Sequence, residues 1–100
     1  MDVSYTLHEV TFKWDERKAR SNLHKHRVSF EEACEVFFDP FVRVADASDI
    51  ESEPRAGVIG MTMNWRLLLV VYTELDDVIR IVSARPVARS ERRSYEDQQA

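Results

Sequence analysis

Apolar and polar residues alternate over residues 10–14 (VTFKW), the period of a strand with one buried face. Residues 1–9, before it, are read as a loose lead-in without a period. Asp15 then suits a helix N-cap and Glu16 the positive end of the helix dipole. The predicted helix runs to about His26, with Ala19, Asn22, Leu23 and His26 on one face by i, i+3, i+4 spacing. It carries few apolar residues, so a stripe of Lys18, Asn22, Lys25 and His26 is left to face something other than a core. Ser29 opens a second helix, where Glu32 three residues later completes a capping box. Phe30, Ala33, Cys34 and Phe37 form its apolar stripe, with Val36 and Phe38 flanking. Asp39-Pro40 ends it, because proline disfavours helix at the residue before it.

The period then shortens. Residues 41–45, 58–63, 66–73 and 78–84 read as strands, and the short links at 64–65 and 74–77 make the last three an antiparallel meander. The run LLLVVY (67–72) has no alternation, which predicts a central strand covered on both faces. Residues 46–54 (DASDIESEP) form an acidic loop. Pro86 breaks the last strand, and residues 88–98 are polar and helix-compatible, with Ser90 as a cap. The order strand, helix, helix, four strands, helix predicts one α+β domain spanning residues 1–100. Its mostly antiparallel sheet would carry two N-terminal helices packed on it and a C-terminal helix.

Composition narrows the class. One hundred residues with 44% hydrophobic and 32% charged residues suit one globular domain. No apolar run approaches the ~20 residues that span a bilayer, so no membrane association is expected. The start, MDVSYTLHEV, lacks the basic and apolar regions of a signal peptide. Cys34 is alone within an apolar stripe, as a reduced, buried thiol would be, and a cytoplasmic location is expected. A formal net charge of −4 argues against an ordinary nucleic-acid binder. The distribution of charge changes that picture. Residues 13–27 hold six Lys or Arg against two acids, residues 31–53 eight acids against one arginine, and residues 80–93 five arginines against Glu91. Brought together by folding, the two basic blocks would make an anion site on an acidic protein; kept apart, each is a solvated face.

No metal site and no cofactor are expected. His24 and His26 are two apart, which points their rings in different directions on a helix, and no glycine-rich phosphate loop or nucleophile elbow is present. The acidic loop offers carboxylates with no apolar surround to separate their pKa values. The arginines are more unusual. Arg80 lies among Val78, Ile79, Ile81 and Val82, so it must face solvent or be paired. Arg85 ends the same strand, Arg55 opens an earlier one, and Arg92 and Arg93 follow on the terminal helix. Metal-free RNA cleavage needs help for the attacking 2′-hydroxyl, cations for the crowded phosphate and an acid for the leaving oxygen. His26 is a candidate acid or base, Lys25 and the arginines supply charge, and Tyr72 and Tyr95 can stack on a base or orient a phosphate. The plainer alternative pairs Arg80 with a mid-chain acid, makes His26 a helix cap and puts both tyrosines in the core.

Residues 12–40 (FKWDERKARSNLHKHRVSFEEACEVFFDP) resemble the N-terminal signature of the BrnT toxins. The elements are Trp14-Asp15-Glu16, Lys18, Asn22 with Lys25-His26, and the run VSFEEA at 28–33. The second half is similar as well, with Glu53-Pro54-Arg55, VVYTE at 70–74, IRIVSAR at 79–85, Glu91-Arg92 and Tyr95-Glu96. The aromatic residue that often follows the E-x-R arginine is absent, Ala56-Gly57 standing there instead. The resemblance implies a RelE-like fold and a metal-independent endoribonuclease that reduces translation. It also implies neutralisation by a BrnA-type antitoxin in a higher-order hetero-oligomer, with operator DNA contacted only through that complex. Carried onto this sequence, the catalytic candidates are His26, Lys25, Arg55, Arg80 and Arg85, and the RNA-binding candidates Lys18, Tyr72, Arg92 and Tyr95. Two other readings stay open: a non-catalytic, partner-dependent regulator built on the helix pair at 15–38, and a subunit whose basic faces dock an acidic protein.

Overall fold

Residues 1–9 are not a loose lead-in. Strand β1 (Asp2–Leu7) pairs antiparallel with β2 (Val10–Asp15), and Val3, Tyr5 and Leu7 pack against the core. The alternation is present in VSYTL; the turn concealed it. His8 and Glu9 both have positive φ, 49° and 69°, a two-residue hairpin geometry that Asn and Gly usually signal. The computed structural model describes residues 1–45 and 55–97; the expected acidic loop, and with it Glu53 and Pro54, lies outside the described residues.

Helix α1 (Glu16–His26) starts as its sequence predicts, with the Asp15 carboxylate accepting the Lys18 backbone N–H at 3.1 Å. It ends at Arg27, whose left-handed backbone closes the helix onto Leu23 O. Helix α2 (Phe30–Glu35) is capped by the Ser29 hydroxyl, which accepts Glu32 N–H, and runs into a 3₁₀ turn at Val36–Phe38. The Glu32 side chain, expected to complete a capping box, instead takes bonds from Thr62 and Arg66. Strands β3 (Arg43–Val44), β4 (Ala56–Met61), β5 (Leu67–Leu75) and β6 (Val78–Pro86) follow, then α3 (Arg89–Asp97). Ser90 is not the cap of α3; the Glu91 carboxylate accepts the Ala88 N–H there.

The six strands form one sheet in the order β1-β2-β6-β5-β4-β3. Its pairs are antiparallel except β2 with β6, which run parallel because α1 and α2 carry the chain off the sheet between them. On one face, Phe12, Trp14, Leu68, Val70, Ile81 and Ala84 pack against Val28, Phe30, Ala33, Cys34 and Val36 of the helical segment. On the other, Ala45, Ile59, Leu67 and Leu69 are covered by Tyr95 of α3. Strand β5 thus contributes to both cores, as its unbroken apolar run predicts. Gly60 is needed where β4 meets the 3₁₀ turn, since a Cβ there would lie 2.8 Å from Val36 O.

Candidate nucleic-acid interface

Tyr95 covers one end of the second face; no helix among the described residues lies over the other end. Along β1, β2, β6 and β5, the side chains opposite the buried ones include Asp2, Ser4, Lys13, Asp15, Arg80 and Thr73. Register sets them in a row: Ser4 pairs with Lys13, Lys13 with Arg80, and Arg80 with Thr73. Ala56 pairs with Tyr72, so Arg55 enters β4 beside the level of Thr73. With strands ~4.8 Å apart, Lys13 and Arg80 are direct neighbours across the sheet, and Arg55 just precedes β4, two strands on from Arg80. Lys13, Thr73 and Arg80 line a shallow depression of about 320 Å³ with Leu75, Asp76 and Val78.

Arg80 donates from its two terminal nitrogens to both oxygens of Asp2, at 2.8 and 3.1 Å. It is paired, as the plainer reading expected, though with the first strand and not with a mid-chain acid. These hydrogen bonds hold the Asp2 carboxyl below the usual carboxylate range, with Lys13 among the nearby charges that add to the effect. Arg85, at the end of β6, donates to both oxygens of Glu91 at 2.8 and 2.9 Å, and to Pro86 O. That pairing, against burial, keeps the Glu91 carboxyl below its ordinary value.

The remaining sequence candidates lie elsewhere. Tyr72 points into the helix-covered face, where its ring meets Phe37 edge-on at 5.0 Å and burial pushes its phenol pKa up. Tyr95 is buried, 4% exposed, and its hydroxyl donates to Asp39 at 2.5 Å. Asp39 also accepts the backbone N–H groups of Phe41 and Met61, so this tyrosine ties α3 to the sheet. Arg92 stands 3.7 Å from Glu96 and, with Tyr95 and the exposed Trp65, borders a second depression of about 360 Å³. Lys18, Lys25 and His26 are on α1. Buried Asn22 anchors that helix to β6: its side chain accepts Ala84 N–H and donates to Ala84 O and Val28 O. His26 is one turn beyond Asn22, on the side of α1 that approaches the Arg85 end of β6. Sequence reasoning named Arg55 and Arg80 but not Lys13, whose signal was its place as the polar member of VTFKW.

The helix pair lacks a recognition helix. Helix α2 has six residues, and Glu32 and Glu35 are spent on Thr62, Arg66 and the Met63 N–H. Among the described residues no group of three or more His, Cys, Asp or Glu is placed to hold a metal ion, and no helix is long and apolar enough to cross a membrane.

The fold is that of a small α+β protein whose six-stranded sheet brings Lys13 and Arg80 together on one face. A family model described as the ribonuclease toxin BrnT of type II toxin-antitoxin systems matches residues 14–91. The chain belongs to this family of ribonuclease toxins, and a type II toxin implies an antitoxin partner. Among solved structures, the fold is similar to that of the Brucella abortus ribonuclease toxin BrnT, with a TM-score of 0.61 and 22% identity over 76% of this chain and 94% of that one. No curated protein matches the chain.

Proposed function

We propose that the uncovered end of the sheet binds and cleaves RNA, making the chain a metal-independent endoribonuclease that lowers translation. The observation that carries this reading is the adjacency of Lys13 and Arg80, with Arg55 just before β4, on a face over which no helix among the described residues lies. Guanidinium forks suit phosphate oxygens in pairs, and a sheet face presents them at fixed spacing without local reorganisation. RNA laid along β6 would run from Arg80 towards Arg85, where the last turn of α1 offers Lys25 and His26. In this arrangement the cations neutralise successive phosphates, Arg80 and Arg55 towards one end and Arg85, on releasing Glu91, at the other, where His26 moves the proton. Lys18 and Arg92 supply outlying charge. Tyr72 and Tyr95 serve the fold, not the substrate, in this proposal.

The neutralising partner in this reading is a BrnA-type antitoxin that covers the same cations. The pair forms a hetero-oligomer in the cytoplasm, and operator DNA is reached only through the complex. The RelE-like description of the architecture belongs to the same proposal. Expression of the chain alone is expected to arrest growth, and Arg80→Ala to relieve the arrest while leaving the far-UV circular dichroism unchanged. Cleavage should persist in excess EDTA. A purified, folded chain that leaves RNA intact, with harmless expression, would overturn the reading.

A further inference from the structure

Arg80 already grips an anion. Both terminal nitrogens engage both oxygens of Asp2, the planar two-bond arrangement that guanidinium also makes with phosphate. To make it, the Arg80 side chain reaches over β2 from β6 to β1. We propose that the Asp2 carboxylate is an internal stand-in for an RNA backbone phosphate, an autoinhibitory contact that occupies Arg80 until RNA displaces it. This rests on the sheet face being the RNA site, and it adds a regulation of that site.

Three observations support the assignment. The pair is exchangeable, since Arg80 and Asp2 side chains are 41% and 56% exposed, and ion pairs so open to water are weak. The other bidentate pair is built differently: Glu91 is only 12% exposed and also accepts the Ala88 N–H, so Arg85 is held as part of the α3 junction. Second, the carboxylate comes from β1, the edge strand of the sheet, whereas Arg80 lies on β6 inside it. The inhibitory group is therefore carried by a strand with a neighbour on one side only, while Arg80 is held on both. Third, Arg80, the N-terminal ammonium and Lys13, which pairs with Arg80 in register, together favour a negative group at Asp2 despite the Asp15 carboxylate opposite it, whether that group is a carboxylate or a phosphate.

A double-mutant cycle tests the proposal, using fluorescence anisotropy with a short labelled single-stranded RNA whose 2′-O-methyl groups prevent cleavage. Asp2→Asn is expected to tighten binding about two- to fivefold, the range open to a weak exposed pair. In the Arg80→Ala background the same change should have no such effect. Equal tightening in both backgrounds would overturn the stand-in role, because Asp2 would then act as general negative charge. No change in the wild-type background would overturn it as well. If β1 frays in Asp2→Asn, seen as a lowered thermal midpoint, Asp2→Ser repeats the comparison with a residue that suits the strand. RNA that binds none of the four proteins, each folded, would overturn the RNA face itself and the stand-in with it.

Discussion

Asn22 does for β6 what a neighbouring strand would otherwise do. Strand β2 pairs with β6 only as far as Lys13 and Arg80, then turns into α1, which leaves the edge of Ala84 without a strand. The Asn22 amide fills the gap with one donor bond and one acceptor bond to Ala84, and a further bond to Val28 O. Asn22→Ala would leave these buried backbone groups unpaired, so we expect a loss of about 2–3 kcal/mol, measured by urea unfolding. A similar precision governs Glu91. Its carboxyl pKa is held below the ordinary 4.5 by Arg85, so its contribution to stability is complete above that value and is lost as pH falls through the lower, folded value. Between about pH 5 and pH 3 the urea midpoint of the wild type should fall more steeply than that of Glu91→Gln. Cys34 carries no such switch: burial and the neighbouring Glu31 and Glu35 push its thiol up, away from thiolate chemistry.

At the scale of elements, the β4–β5 hairpin is fixed by the acidic face of α2. Arg66 joins Glu32 and Arg27 O, Thr62 donates to Glu32, and Glu35 accepts the Met63 N–H. The glutamates that argued against a DNA-reading helix are thus hairpin anchors. Close approach of the 3₁₀ turn to β4 depends on Gly60, where an added methyl would meet Val36 backbone and side chain at 2.8 and 2.9 Å. Backbone cannot yield as a flexible side chain can, so Gly60→Ala should cost about 1–3 kcal/mol and lower the thermal midpoint. The β1–β2 hairpin shows why a regular strand escaped notice. Its residues alternate, yet His8-Glu9 is not a turn that sequence rules recognise. Missing β1 also meant missing Asp2, the partner of Arg80.

Across the whole molecule, a net charge of −4 coexists with a local pair of cations because the sheet makes neighbours of residues from the two basic blocks. Lys13 comes from the first basic block and Arg80 from the last, and the parallel pairing of β2 with β6 makes them neighbours. Affinity for single-stranded RNA should fall as salt rises, by ~0.7 in logarithmic slope for each phosphate contact. Lys13→Ala should lower that slope by about one such contact, read from binding isotherms at several salt concentrations. A slope unchanged by Lys13→Ala would remove this lysine from the face. The other basic candidates are spread over α1 and α3, so the basic blocks merge only in part.

What the sequence determined by itself are the features that depend on near neighbours. They include the Asp15 and Ser29 caps, the extents of α1 and the β4–β6 meander to within a few residues, the doubly covered β5, and the family signature from Trp14 onwards. The elements and caps rest on periodicity or on a hydrogen bond within four residues, and the signature on a resemblance of motifs in order along the chain. The tertiary structure alone decided which charges meet. Local period says that Lys13 and Arg80 are polar members of strands, but their adjacency requires a parallel crossover that no spacing encodes. The partner of Arg80 is 78 residues away, in a strand whose turn lacks the usual residues. Likewise Tyr95 reads equally well as a base-stacking or a core residue until Asp39 takes its hydroxyl, since burial belongs to the packed molecule and not to the residue.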